Sequence, residues 1–526
     1  MASLDFAAFR KQHETDFKLD ELDVRVREEA FSECKAYLVG HNQEKLADCL
    51  ACLRVLSRDR TLQSKLAEPD ILTHLIREAG LGSTQIADLT VYDSECAVES
   101  LKCLSNVVFQ NPLVISTIKS HGILDSLVSR CEKNSKEVFN IEILLFDLKL
   151  LFLLSALDRQ SRLELLTNNF ASDNFADILK QISDMDFLKC QLASDCAQEM
   201  LKFLFNLGYA KKELGHSEAT YEATYRSLTT VVRDLLVKQT SSMAVRSGII
   251  SHCVNFLTTI PVTCYALLLF DPADPPSDSQ PPHKDENVCR AVATLVEFLD
   301  QQLSQADTLS PSSGGSSELL TPILNVLAAA SRANSVIRKY CRLKILPYLG
   351  DEVRHLPQEG TTLRNKLSKR LTATGATDGV AESTALLIFI LCKEKVSRAI
   401  KYSGFGNFAG FLARHGLMGG SRPPSEPYSS SSSDSETETY HQLRDDVNPV
   451  TGRFEPYKPS PMESMSQEQK EYEAMKLVDK IDKLQRSGII QPGTIGEDGR
   501  VHPVEHVLQL IQDVKVDSSK EGSDSD

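Results

Sequence analysis

A six-residue frame recurs along this chain. Leu101-Lys102-Cys103-Leu104-Ser105-Asn106 returns one hundred residues later as Leu201-Lys202-Phe203-Leu204-Phe205-Asn206, with Leu148-Lys149-Leu150-Leu151-Phe152-Leu153 midway between them. Weaker copies begin at Leu50, Ile250 and Leu320, so the steps along the chain are 51, 47, 53, 49 and 70 residues. Around each copy the apolar residues fall at three- and four-residue steps, as in Leu46, Cys49, Leu50, Leu53 and Leu56, the period of an amphipathic helix. A repeated helical unit cannot bury its apolar face alone, and stacking it on its neighbours buries that face continuously. Armadillo and HEAT units run to about 40–47 residues, so these copies are slightly long and loops take up the excess. The frame therefore predicts an all-α, armadillo/HEAT-like right-handed superhelical solenoid.

The long last step has a visible cause in two Pro-, Ser- and Gly-rich stretches at about 271–287 and 304–317, which read as flexible inserts. After residue 420 the composition changes: five serines, Ser429 to Ser433, run into alternating acids, and from Gly419 onward there are 21 acids and 12 bases. The expected organisation is a solenoid over residues 1–420, an acidic Ser/Pro-rich linker over 421–465, one helix over 466–485 and a mostly disordered tail over 486–526. Ser466 with Gln469 three residues on marks the start of that helix as a capping box.

Charge and motifs exclude several functions. With 58 Lys and Arg against 72 Asp and Glu the net charge is −14, which argues against nucleic acid as a ligand. The longest apolar tract, residues 141–157, contains Glu142, Asp147 and Lys149, so no membrane span is expected. The first ten residues lack the apolar run of a secretory signal, and the thirteen cysteines are scattered among apolar neighbours, which together predict a reducing cytoplasm. No phosphate loop, zinc-protease helix or nucleophile elbow occurs. Cys49 and Cys52 lack the second pair that a zinc site needs and read as core. No enzyme chemistry, metal or cofactor is expected.

Asn106, Asn206, Asn255 and Asn325 share one frame position. Such a row reads two ways: as a ladder whose amides grip a bound peptide backbone, or as bonds from each repeat to its neighbour's loop. Arg54, Arg58 and Arg60 in the first copy, with Lys102, Lys149 and Lys202, suggest a groove for an acidic or carboxylate-ended peptide. A second basic cluster runs from Arg332 to Lys344 and from Arg364 to Arg370.

Longer motifs resemble one family. Leu53-Arg54-Val55-Leu56-Ser57-Arg58-Asp59, Glu99 to Leu104 and Phe146 to Leu154 are similar to the synembryns. So are Lys401-Tyr402-Ser403-Gly404-Phe405-Gly406-Asn407, Arg414 to Met418, Asn448-Pro449-Val450-Thr451-Gly452 and Glu468 to Val478. The resemblance runs from about residue 45 to 495. It implies a cytoplasmic chaperone and non-receptor guanine nucleotide exchange factor without catalytic residues, recruited to the plasma membrane or cell cortex through its partner. That partner is a heterotrimeric G-protein α subunit, held by its C-terminal helix on the concave face so that GDP leaves and the nucleotide-free state is stabilised. By motif, Arg54, Arg58, Asn106, Phe146, Asn206, His252 and Asn255 correspond to partner contacts. Ser431, Ser433 and Ser435, each with an acid three residues on, correspond to sites of a casein-kinase-type protein kinase. The alternative from the repeats alone is a generic armadillo-type peptide-binding scaffold or transport adaptor.

Overall fold

A computed structural model describes residues 4–15, 19, 22–40, 44–82, 94–137, 140–170, 174–214, 221–271, 287–308, 319–372, 378–419, 436–456, 461–496 and 498–504. The protein is an all-α armadillo/HEAT-like helical solenoid whose chain divides into two compact units, Met1–Phe298 and Leu299–Asp526.

In the first unit the frame copies lie on five helices, Leu46–Leu56, Ser94–Gln110, Ile141–Leu157, Gln191–Leu214 and Met243–Leu257, each packed on the next. A second layer, with Val24–Val39, Pro69–Glu78, Ile123–Glu137, Asn174–Asp184 and Glu222–Leu236, packs on these frame helices from outside the row. The two layers explain two sequence patterns. Asn174–Asp184 touches the core on one side and buries Phe175, Ile178, Leu179 and Ile182, the i, i+3, i+4, i+7 stripe. Ile141–Leu157 has a frame helix on each flank and a second-layer helix behind it. It is accordingly apolar nearly all round, burying Ile143, Leu144, Leu148, Leu150, Leu151, Leu153 and Leu154. Its start is fixed by Asn140, whose side chain accepts from the backbone N–H groups of Glu142 and Ile143.

One charged residue interrupts that apolar helix for a reason. Asp147, fully buried, receives Arg130 Nε at 2.8 Å and Nη2 at 2.5 Å from the second-layer helix of the same repeat. Arg130 Nη1 also donates to the carbonyls of Ala79 and Gly80, which end the helix of the preceding repeat. A single ion pair thus joins three elements of two repeats, and burial alone pushes the Asp147 carboxyl upward against the pull of Arg130.

The second unit begins with helices Leu320–Ala333, Ser335–Ile345, Leu363–Leu371, Asp378–Leu391, Val396–Ser403 and Phe405–Arg414. Three boundaries differ from expectation. Helix Arg290–Thr308 takes up the first residues of the stretch read as an insert over 304–317; its remainder, 309–317, and most of the insert at 271–287 lie outside the described residues. The stretch read as linker contains a folded part, helix Glu438–Leu443 and an antiparallel pair Val447–Asn448 with Arg453–Phe454. The stretch read as disordered tail contains a second pair, Gly493–Ile495 with Val501–Pro503. Helix Gln467–Arg486 carries the capping box of Ser466 and Gln469, and none of its residues is buried. Ser431, Ser433 and Ser435 lie outside the described residues.

The linker was misread because its attachment uses backbone groups. Pro449 and Val450 carbonyls accept from Phe405 N and Gly406 N, both at 2.9 Å, satisfying donors at the start of helix Phe405–Arg414. Gly404 stands at φ +76°, and a Cβ there would lie 2.9 Å from the Thr451 carbonyl oxygen, so the approach needs glycine.

Removing the Asp147 carboxylate should leave Arg130 buried without a counter-charge. Asp147→Ala is expected to cost about 3–5 kcal/mol, read as a lowered urea midpoint of the first unit with helical circular dichroism retained before the transition.

Candidate functional site

The exposed stripe of each frame helix is set by its apolar faces, which leave one line of positions, four and three residues apart, uncovered. On the first copy this line runs through buried Arg54 to half-buried Arg58 just past the helix end; it continues on the second with Lys102, Asn106 and Phe109, on the third with Phe146 and Lys149, on the fourth with Lys202, Asn206 and Tyr209, and on the fifth with His252 and Asn255. The expected contact residues therefore lie on consecutive frame helices, with Arg58 two residues beyond the end of the first.

Their chemistry differs from one to the next. Arg54 is only 7% exposed. Its Nε donates to Glu99 Oε2 at 2.5 Å and its Nη2 to Glu14 Oε1 at 3.2 Å. Glu99 also takes Lys102 Nζ at 3.1 Å, and Lys102 reaches Glu142 of the third frame helix at 3.0 Å. The result is an alternating chain of charge, Glu14–Arg54–Glu99–Lys102–Glu142, across three repeats. Phe146, half-buried, lies under Lys102 at 5.2 Å and Lys149 at 5.8 Å from its ring centre. Lys202 pairs with Glu199 at 2.6 Å and stands over the Phe152 ring at 4.9 Å.

The two asparagines of the strong copies make the same bonds. Asn106 Nδ2 donates to Ser57 Oγ at 2.9 Å and more weakly to the Arg54 carbonyl at 3.4 Å. Asn206 Nδ2 donates to Ser155 Oγ at 3.0 Å and to the Phe152 carbonyl at 3.4 Å. Each serine in turn donates to the carbonyl three residues before it. The amide nitrogens thus tie one repeat to the helix end of the one before, the second of the two readings. Fixing the nitrogen also fixes which way the amide oxygen faces.

Arg58 is placed differently from Arg54. Half-buried, with Nη1 donating to the Glu14 carbonyl at 3.0 Å, it lines an open cleft of about 990 Å³ with Arg60, Phe109, Gln110 and Asn111. Gln110 Nε2 donates to the carbonyls of Ser57 and Arg58, holding this helix end against the second repeat. Phe109 is 66% exposed and Leu113, just beyond, 86%. At the other end of the row His252 is largely buried; burial first, and the nearby Lys202 charge second, bring its pKa from 6.5 down to about 4.

Sequence reasoning missed Phe109, Tyr209, Glu99 and Gln110. The first two were legible: each stands three residues beyond a frame asparagine, one turn further along the same stripe, and each is more than half exposed. Glu99 and Gln110 carry no such signal, because their partners lie some fifty residues away in the chain.

The second basic cluster is engaged within its own unit. Arg332 pairs with Glu394, Lys366 with Asp300, and Lys369 and Arg370 with Asp307, while Arg338 and Arg364 donate to the Ser331 and Tyr402 carbonyls. Cys49 and Cys52 are buried thiols that donate to the Cys34 and Phe6 carbonyls. Among the described residues no cluster of metal-ligating side chains occurs, and no helix is long and apolar enough to cross a membrane.

A row of repeat helices, each packed on the next and backed by a second layer, defines a helical-repeat protein. Residues 49–500 match the guanine nucleotide exchange factor synembryn (Ric8) family, and the chain belongs to it. It is 35% identical over 498 residues to "Chaperone Ric-8A" of Danio rerio, covering 91% of this chain and 88% of that protein. It is 36% identical over 496 residues to the Xenopus tropicalis protein of the same name, with 91% and 88% covered. To "Chaperone Ric-8" of Drosophila melanogaster it is 32% identical over 513 residues, with 89% and 87% covered.

The depressed pKa of His252 makes a measurable prediction. The folded chain holds a neutral imidazole, whereas the unfolded chain takes up a proton below pH 6.5, so this contribution is complete above pH 6.5 and lost as pH falls toward 4. Between pH 7.5 and 5 the loss is about 2 kcal/mol, and His252→Gln should flatten the stability profile by that amount relative to the parent in paired urea titrations.

Proposed function

We propose that this protein is a chaperone and non-receptor exchange factor for heterotrimeric G-protein α subunits, holding the C-terminal helix of the client along the frame-helix stripe. The observation that carries the reading is that stripe itself: Arg58 just past the first frame helix, then Asn106, Phe109, Phe146, Asn206, Tyr209, His252 and Asn255 on the next four, in a chain belonging to an exchange-factor family. Cations beside exposed aromatic rings suit an amphipathic helix ending in a carboxylate, with Arg58 and Arg60 at the cleft and Lys149 further along.

Exchange by such a surface needs no bond-making group. A protein that binds the nucleotide-free client more tightly than the GDP-bound client shifts the equilibrium by the difference, and GDP is released. Taking the last helix of a GTPase out of its own fold supplies that difference, and the same grip shields a client that has not yet bound nucleotide. Helix Gln467–Arg486, with Tyr472, Met475, Leu477 and Leu484 exposed, is proposed as a further contact with the client. Phosphorylation of Ser431, Ser433 and Ser435 by an acid-directed kinase, and a cytoplasmic location with recruitment to the cell cortex by the client, belong to the same proposal.

A generic peptide-binding scaffold would share the groove and lack the exchange. GDP release from a purified Gα subunit separates the two: acceleration of about tenfold or more is expected, while binding without acceleration favours the scaffold. Arg58→Ala with Phe109→Ala should weaken Gα binding by about ten- to a hundredfold with little change in thermal midpoint. Arg54→Ala behaves otherwise, because it strips a counter-charge from buried Glu99; a loss of about 2–4 kcal/mol in stability is expected alongside any loss of binding.

A further inference from the structure

In the second unit, Glu436 is the first described residue after the serine run, and its carboxylate sits among cations. Lys401 Nζ reaches Oε1 at 2.5 Å, and Arg444 Nη1 and His441 Nε2 stand 3.5 and 3.6 Å from Oε2. The Lys401 hydrogen bond, ahead of the surrounding charge, holds the Glu436 carboxyl below the usual carboxylate range.

The residues that follow are seated on helices Val396–Ser403 and Phe405–Arg414 and on the carbonyls of Leu349 and Arg354. Thr437 Oγ1 donates to the Leu349 carbonyl and accepts from Tyr440 N at 3.1 Å, capping helix Glu438–Leu443. Tyr440 is 7% exposed, with Lys401 Nζ 4.2 Å from its ring centre, so one lysine serves both the carboxylate and the ring. Leu443 is buried. Further on, the Pro449 and Val450 carbonyls cap helix Phe405–Arg414, and Arg453 Nε donates to the Arg354 carbonyl at 2.9 Å.

We propose that Glu436 is the built-in anion of a latch: its carboxylate pairs with Lys401 of helix Val396–Ser403, with His441 and Arg444 of its own segment closing round it, and docks residues 436–456 on helices Val396–Ser403 and Phe405–Arg414 without a phosphate on the preceding serines. A carboxylate is one residue away from Ser435 and uses cations of the kind that a phosphoserine would seek. The Lys401 site is therefore already occupied whether or not Ser431, Ser433 or Ser435 is modified, and the segment carrying the Asn448 to Gly452 motif is in place before any kinase acts. This inference concerns docking alone and stands apart from the Gα reading, since its readout needs no client.

The test is amide hydrogen exchange on the full chain made in bacteria, with the absence of phosphate verified by mass spectrometry. The parent should protect residues 438–454. Glu436→Gln should speed their exchange by about tenfold or more while leaving Leu320–Ile345 unchanged, and Lys401→Met should do the same. The double variant should be no worse than the worse single one, the signature of a shared interaction. Replacing Ser431, Ser433 and Ser435 together with alanine should change nothing. The latch is overturned if unphosphorylated parent exchanges 438–454 as an open chain does, or if Glu436→Gln leaves that exchange unaltered. Loss of protection spreading through Leu320–Ile345 would equally overturn it, since Glu436 would then be a general fold residue.

Discussion

Burial of each frame helix against the next is the interaction on which the first unit rests. Ile141–Leu157 shows it most plainly: with frame helices on both flanks and a second layer behind, it has almost no side on which a polar residue is tolerated. Stability in such a stack is a sum of neighbour terms, so no single core holds the unit and each interface must be good. The polar exceptions are placed where they join repeats. Asp147 with Arg130 ties two repeats through a helix end, and Asn106 and Asn206 tie a frame helix to a serine of the previous copy.

The same economy governs charge along the stripe. Glu14, Arg54, Glu99, Lys102 and Glu142 neutralise one another across three helices, which lets basic residues sit on a row of adjacent helices without mutual repulsion. The open positions lie at the edges of that chain: Arg58 and Arg60 in the cleft, Lys149 in solvent, and the exposed rings of Phe109 and Tyr209. Positive charge concentrated at a few open positions, in a protein of net charge −14, favours orientation of a partner over indiscriminate attraction.

Much of the helical architecture was legible because it is written in local periodicity. The frame copies and the capping box at Ser466 concern residues within one or two turns of each other. The folded segment 436–456 was not legible. It carries few apolar residues, and its seat depends on two backbone carbonyls, one carboxylate and one tyrosine ring, none of which makes a periodic pattern.

The sequence by itself determined that this chain stacks repeated helices and which family it belongs to, since each follows from spacing or from motifs. Only the tertiary structure decided what those residues do. Arg54 and Arg58 lie four apart in the chain and look alike in sequence, yet Glu99 arrives from the next repeat to take the first in the last turn of its helix, while the second, just past that helix end, opens on a cleft. The frame asparagines could have faced a ligand or a neighbour, and Ser57 and Ser155, about fifty residues upstream, claim their amide nitrogens. The physical reason is common to both. A hydrogen bond or ion pair is decided by which groups meet at about 3 Å, and in a solenoid the group that meets each stripe residue belongs to another repeat.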